Sequence, residues 1–334
     1  MRLEGVSPQV ALSPPRALAH PVLSIVVPAY NEEGSVAHLV ERVAAVMGPT
    51  GVTHEIVLVD DGSRDATWAR IVDIARRVPA VRGVRLARNF GHQHALLAGL
   101  AHARGRAIVS MDADLQHPPE VIPELLHRWE EGALVVATER LDAGVTGPFK
   151  RLSSRYFYRA FAALTGIPMR PGMSDFRLVD RSVRDELLRF RHGDVFLRGT
   201  VQWLGYPTAT VHFEVGERYA GASKYTLRRM LGFASGAVVS FSAKPLYVAI
   251  WMGLLTGLAS LLELAYVVVQ YFRGRTVPGW ASIVGVTSLF FGILFILLGI
   301  IGVYIARIHE MLQNRPAFVV AEQTPAGERG EGGG

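Results

Sequence analysis

The chain contains no cysteine, which excludes disulfides and thiolate metal sites and fits a reducing compartment. It has no G-x-G-x-x-G after its first strand-like run and no G-x-x-x-x-G-K-[ST], so it carries neither a dinucleotide fingerprint nor a P-loop. Any bound phosphates must be met by a metal ion and basic side chains instead. Residues 1–22 hold no sustained apolar stretch, so no export signal is expected. Charge is scarce near the other end: residues 246–272 carry only Glu263 and residues 281–306 carry none. Each run exceeds the roughly 20 residues that cross a bilayer core, and two transmembrane helices are expected. Trp251, Tyr271 and Trp280 near the run ends suit the membrane interface.

Only Arg273 to Gly279 separate the two runs, so they must form a hairpin with both ends on one side. Lys224, Arg228, Arg229 and Lys244 precede it and Arg307 and Arg315 follow it, against Arg273 and Arg275 in the turn. This bias places the large N-terminal part, and both termini, in the cytoplasm beneath the inner (plasma) membrane. Residues 140–229 contain 16 Lys/Arg against 8 Asp/Glu, a local excess of +8 where the whole chain carries +6. Beside a membrane hairpin, such a patch points to anionic lipid or a phosphorylated substrate, and no nucleic-acid motif accompanies it.

Ahead of that patch, strand-like runs alternate with helical ones. LSIVVPAY (23–30) precedes a helix from Ser35 to Met47. EIVLV (55–59) leads through Asp60-Asp61-Gly62-Ser63 to a helix near 65–78. GVRLA (83–87) leads through Arg88-Asn89-Phe90-Gly91 to a helix ending about Arg104. AIVSM (107–111) leads to Asp112 and a helix near Pro118-Pro119, and LVVAT (134–138) closes the series. Such alternation predicts an α/β fold, a mostly parallel sheet with helices on both faces and ligands at the carboxyl ends of the strands. The domain plan is an N-terminal tail (1–21), a catalytic domain (22–243), a transmembrane hairpin (244–308) and a C-terminal tail (309–334), polar and disordered after Phe318. Amphipathic, interfacial helices are expected at about 149–164 and 226–241.

In a strand, residues two apart share a face, so Asp112 and Asp114 can present two carboxylates to one point, with the Gln116 oxygen two residues on. Hard oxygens of this kind suit Mg²⁺ or Mn²⁺, which commonly bind through one or two carboxylates plus substrate phosphates. An Asp-x-Asp also suits a turn or helix cap. His117 could add a fourth ligand, although a histidine there is more often a cap or surface residue. Glu32, Asp60, Asp61 and Asn89 supply acceptors for a base and ribose, and Pro28-Ala29-Tyr30 a flat wall; Asp60, Asp61 and Asn89 equally suit turns and N-caps.

VVPAYNEE (26–33), VDDGSRDAT (59–67), RNFGHQHALLAG (88–99) and DADLQHPPE (112–120) resemble family 2 of the inverting nucleotide-sugar glycosyltransferases, of GT-A fold. ATER (137–140), SDFRLVDR (174–181), FLRGTVQWLGY (196–206), ERYAGASKY (217–225) and the hairpin are similar to its polyprenyl-phosphate branch, which includes dolichol-phosphate mannose synthase and bactoprenol glucosyltransferase. The resemblance spans roughly residues 22–318. It implies a metal on Asp112, Asp114 and Gln116, and a nucleotide lined by Pro28, Tyr30, Glu32, Asp60 and Asp61. It further implies a diphosphate met by Arg218 and Lys224, and an acceptor phosphate met by Arg140, Lys150, Arg151 and Ser154. UDP-glucose is the first donor it suggests, ahead of GDP-mannose and UDP-amino sugars such as formyl-aminoarabinose, with undecaprenyl phosphate as acceptor.

A lipid phosphomonoester, with a second pKa near ~6, is largely dianionic at neutral pH and needs no general base. The expected reaction is direct displacement with inversion. The missing Q-x-x-R-W motif argues against a processive polysaccharide synthase; a catalytically inactive, membrane-anchored nucleotide-sugar-binding module is the rival from another class. Glu263 inside a span, with Gly253, Gly257, Ala259 and Ser260 nearby, suggests helix packing in a homo-oligomer.

Overall fold

A computed structural model describes residues 21–140, 173–190, 197–213, 242–274, 279–313 and 315–325. The helices expected over 149–164 and 226–241, and residues 1–20, lie outside them.

The eight strands are β1 (Leu23–Ala29), β2 (His54–Asp60), β3 (Val81–Leu86), β4 (Ala107–Ser110), β5 (Val135–Arg140), β6 (Met173–Asp180), β7 (Thr208–Phe213) and β8 (Val320–Gln323). They form one sheet in the order β7-β5-β6-β4-β1-β2-β3-β8. β4, β1, β2 and β3 are mutually parallel, as are β5 and β7. β6 is antiparallel to both β4 and β5, and β8 is antiparallel to β3. Because β6 opposes β4 and β5 alike, all strands except β6 and β8 end at the same edge. The sheet is therefore more mixed than the alternation predicts.

The helices before residue 244 that the structure describes are α1 (Val36–Met47), α2 (Thr67–Arg77), α3 (His92–His102), α4 (Ile122–Glu130), α5 (Arg181–Arg189) and α6 (Leu197–Leu204). The strand period sorts the core into two layers. Leu23, Ile25 and Val27 of β1, with Ile56 and Leu58 of β2, pack with α1, α2 and α4. Val26, Val57 and Val59 pack with α3, α5 and α6. Both faces of the central strands are thus dry, which is why they read as unbroken apolar runs.

β6 was not legible because its run, MSDFRLVD, is broken by charge. Asp175 and Arg177 are nevertheless buried, paired to each other at 3.0 Å. Residues 319–325 are ordered around the last strand, against the expectation of disorder after Phe318. Ala87 N–H donates to Val319 O (2.8 Å), Thr324 N–H to Gly83 O (3.0 Å) and Gly83 N–H to Thr324 Oγ1 (2.8 Å). Trp68 Nε1–H reaches Glu322 (3.0 Å), and Phe318 and Val320 pack against the α3 layer. The partner, β3, supplies order that a short polar tail has no means to supply itself.

Between β7 and β8 stand two long helices, α7 (Lys244–Phe272) and α8 (Trp280–Leu312), the second running past residue 308. They are long and apolar enough to cross a membrane, with mean hydropathy reaching 1.9 in an 18-residue stretch of Lys244–Phe272 and 2.8 in one of Gly285–Leu312. Tyr304 O–H donates to Ser242 O at 2.7 Å, tying one helix to the start of the other. Since β8 follows α8 and pairs with β3, both ends of this pair of helices return to the α/β domain.

Candidate functional site

The turns after β1 and β2 are bolted together. Asn31 takes a left-handed backbone (φ 56°), its N–H donates to Ser63 Oγ (2.9 Å), and its Oδ1 accepts from Arg64 N–H (2.9 Å). Glu32 N–H donates to Thr67 Oγ1 (2.8 Å). The turn after β3 is held by Asp61, whose carboxylate accepts from Phe90 N–H (2.7 Å) and Gly91 N–H (2.9 Å). These three strand ends frame an open cleft of about 250 Å³ lined by Pro28, Tyr30, Asp61, Asn89 and His92 among others. Burial, opposed by the two backbone N–H groups and helped by the neighbouring Asp60 charge, raises the Asp61 pKa.

Two expected nucleotide residues sit elsewhere. Asp60 is wholly buried, with one oxygen accepting from Ser63 N–H (3.0 Å) and the other 3.4 Å from Arg85 Nε. It supports the turn beneath the cleft rather than lining it. Glu32 is half-buried, accepts from Ser35 Oγ (2.6 Å) and senses Asp112 and Asp114: burial first, then the Asp114, Asp65 and Asp112 charges raise its pKa against the Ser35 hydrogen bond.

Gly62 makes this crowding possible. Its φ is +66°, and a Cβ there would lie 2.5 Å from Arg88 C and 2.7 Å from Asn89 N. Gly62→Ala must therefore push the β3 turn off the cleft as well as strain its own backbone, costing about 1–3 kcal/mol. The expected result is a lower thermal midpoint together with a raised Kd for nucleoside diphosphate, measured by calorimetry; an unchanged Kd would show that the two turns move independently.

β4 stops at Ser110, so the pleat does not itself carry Asp112 and Asp114. Their alternation persists all the same. Ala113, Leu115 and His117 are buried, while Asp112, Asp114 and Gln116 are half-buried. The loop achieves this with a left-handed Leu115 (φ 63°) and with Gln116 N–H donating to Asp114 Oδ1 (3.1 Å). Asp112 N–H donates to His117 Nδ1 at 2.9 Å. His117 stacks on Phe176 (centroids 5.1 Å apart, planes 17° apart) and meets Phe213 edge-on. Its Nε2 lies 2.7 Å from Ser174 Oγ. Both ring nitrogens are committed, so His117 is neither a surface cap nor a fourth ligand; it is a buried pillar under Asp112. Burial, stronger here than the attraction of Asp112 and Asp114, lowers its pKa and keeps it neutral.

Among the described residues no three His, Asp or Glu side chains converge into a complete metal cage. Two adjacent carboxylates and an amide oxygen are what a Mg²⁺ or Mn²⁺ site needs when substrate phosphates and water complete the shell. The Glu32 pKa is raised first by burial and then by the charges of Asp114, Asp65 and Asp112, and a bound cation would relieve that charge repulsion. The residues fit the ion.

Next to this loop lies a cluster that sequence reasoning did not single out. Asp175 Oδ1 accepts from Arg198 Nε (2.8 Å) and Arg177 Nη2 (3.0 Å), and its Oδ2 from Arg198 Nη2 (2.7 Å) and Gln93 Nε2 (3.0 Å). His92 Nε2 sits 3.4 Å from Asp112 Oδ1 and 3.7 Å from Asp175 Oδ2. Burial opposes the His92 charge, but Asp175 and Asp112 outweigh it and raise the pKa. The only local signals are Asp175 and Arg177 inside SDFRLVDR and His92 of RNFGHQHALLAG. Arg140 is exposed at the end of β5, on the same sheet edge as Asp112. Lys150, Arg151, Ser154, Arg218 and Lys224 lie outside the described residues.

Residues 24–188 match the family model described as glycosyl transferase family 2. The chain is 38% identical to an uncharacterised glycosyltransferase, YkcC, of Bacillus subtilis, over 90% of this chain and 94% of that one. It is 34% identical to the SfII prophage-derived bactoprenol glucosyl transferase of Shigella flexneri, over 89% of this chain and 97% of that one. Among solved structures, glucosyl-3-phosphoglycerate synthase of Mycobacterium tuberculosis is similar at a TM-score of 0.45 and 20% identity, over 66% of this chain and 79% of that one.

Proposed function

The chain belongs to glycosyl transferase family 2, and from that premise we propose that it transfers a hexose, with UDP-glucose the favoured donor, to undecaprenyl phosphate. The observation that carries this reading is the open cleft of about 250 Å³ at Tyr30, Asp61 and Asn89, whose lining residue His92 lies 3.4 Å from the Asp112 carboxylate. The Shigella relative, named as a bactoprenol glucosyl transferase and alike over nearly its whole length, supports the lipid acceptor. The two long apolar helices support an acceptor met at the membrane face.

In this reading Tyr30 and Pro28 stack against the base, Asp61 and Asn89 meet the base and ribose, and Asp112, Asp114 and Gln116 hold Mg²⁺ or Mn²⁺. The ion, when bound, neutralises the leaving nucleoside diphosphate. An oxygen of the lipid phosphate attacks the sugar C1 as the bond from C1 to the diphosphate oxygen breaks, with inversion. Arg140, Lys150, Arg151 and Ser154 receive the attacking phosphate, and Arg218 and Lys224 the diphosphate. Asp175 is not free to act as a general base, because both its oxygens are taken by arginines and Gln93. The positive flanks of the hairpin favour a cytoplasmic domain beneath the plasma membrane, serving cell-envelope glycan or lipid modification. Glu263, exposed in mid-helix, favours packing against a second copy.

The test is to offer UDP-glucose, GDP-mannose and UDP-amino sugars to the purified protein with undecaprenyl phosphate and to identify the glycolipid by mass spectrometry. UDP-glucose should give an inverted, β-linked product in an ion-dependent reaction. A retained anomer sinks the displacement mechanism; no nucleotide released under any donor sinks the enzyme reading in favour of an inactive binding module.

A further inference from the structure

Apart from His92, which also lines the cleft, the cluster beside the acidic loop belongs to neither the cleft nor the expected acceptor site, and its chemistry is unusual. A carboxylate 3% exposed, Asp175, is held by two arginines, and Arg177 is itself 6% exposed. Burial pushes the Arg177 guanidinium down to about 10, against the attraction of Asp175. The group is anchored from three elements: β6 gives Asp175 and Arg177, α6 gives Arg198 and α3 gives Gln93, whose Oε1 also accepts from Leu197 N–H (3.2 Å). It reaches the acidic loop through His92, whose Nε2 lies between Asp175 Oδ2 and Asp112 Oδ1.

Asp112 is bracketed by two imidazoles with different roles. His117 Nδ1 lies 3.6 Å from Asp112 Oδ2, but that nitrogen already accepts the Asp112 backbone N–H and has no proton to offer the carboxylate. His117 therefore holds the main chain, and the side chain is left to His92. A carboxylate on a loop, without a strand behind it, can rotate about two bonds; an imidazole 3.4 Å from one of its oxygens restricts that rotation. Groups that orient metal-binding carboxylates in this way typically alter metal affinity or activity about 10–100-fold when removed.

We infer that His92 is a positioning residue for Asp112, held in place by the buried Asp175–Arg198 pair. The inference rests on the reading of Asp112 as a metal ligand. It makes α6 and β6, distant in sequence from the acidic loop, part of its support. It also explains why a charged pair is kept inside β6, where an apolar pair would pack without the cost of burying ions.

The experiment measures Mn²⁺ binding by the full-length protein in detergent, with UDP present, from the electron paramagnetic resonance signal of free Mn²⁺. His92 is exposed at the first position of α3, so His92→Ala should leave the thermal midpoint unchanged. The expected result is about 10-fold weaker Mn²⁺ binding in His92→Ala, with binding largely restored in His92→Gln, whose amide N–H reaches a similar place. The Mn²⁺ concentration for half-maximal turnover should rise in parallel, while kcat at saturating Mn²⁺ falls far less. A wild-type protein that binds no Mn²⁺ alongside UDP overturns the metal assignment and this role with it. Wild-type binding that His92→Ala leaves unchanged overturns the positioning role alone.

Discussion

Asp114→Ala is expected to cut glycolipid formation by about 10³-fold or more, since losing a metal-holding carboxylate forfeits several kcal/mol of charge stabilisation and each ~1.4 kcal/mol is tenfold. The informative companion is Asp114→Asn. Asp114 Oδ1 accepts the Gln116 N–H at 3.1 Å, and an amide oxygen can do the same, so the asparagine variant keeps the turn and loses only the charge. If the carboxylate matters for its charge, both variants lose product alike, and excess Mn²⁺ rescues neither. Labelled sugar recovered in the lipid extract is the measurement. An Asp114→Asn protein near wild-type turnover would mean that the residue is a turn-former, the role an isolated Asp-x-Asp often has.

Removal of the Asp175 carboxylate should produce the largest loss of stability. Asp175→Ala leaves Arg177, 6% exposed, without its buried partner, and breaking such pairs from one side costs about 3–5 kcal/mol. The expected result is a clearly lowered thermal unfolding midpoint in detergent at neutral pH. The pH dependence has a definite sign. Burial works against the Asp175 charge, but Arg198, His92 and Arg177 overcome it and hold the carboxyl well below its ordinary range. A depressed folded pKa contributes stability that is fully present above the unfolded value, about 3.9, and is lost only as pH falls through the folded one. Wild type and Asp175→Ala should therefore differ most at about pH 5–6, somewhat less once His92, whose pKa Asp175 raises, has lost its proton, and converge only in strong acid. A midpoint unaffected by the substitution would show that solvent reaches Arg177 and replaces its partner.

These two residues differ in how far local pattern discloses them. Asp114 stands after an apolar run, beside Asp112 and Gln116, and its half-buried face follows the period of two even though β4 ends at Ser110. Asp175 breaks the run it belongs to, and what permits its burial lies far away: Gln93 is 82 residues distant and Arg198 is 23. Asp60 and Asp61 are neighbours of identical type, yet only Asp61 lines the cleft, because Asp60 turns inward to Ser63 and Arg85.

By itself the sequence determined the succession of strands and helices along the chain, the acidic loop and turns at the strands' carboxyl ends, and two helices long and apolar enough to cross a membrane. All of these follow from periodicity, composition and length, which are local properties of the chain. The tertiary structure alone decided that β6 runs backwards between β4 and β5, that a polar tail returns as β8 to reach Trp68 across 254 residues, and that His92 comes to rest between Asp112 and Asp175. Each of these depends on a partner that satisfies a backbone edge or a buried charge. Such satisfaction depends on distance in space, which spacing along the chain does not record.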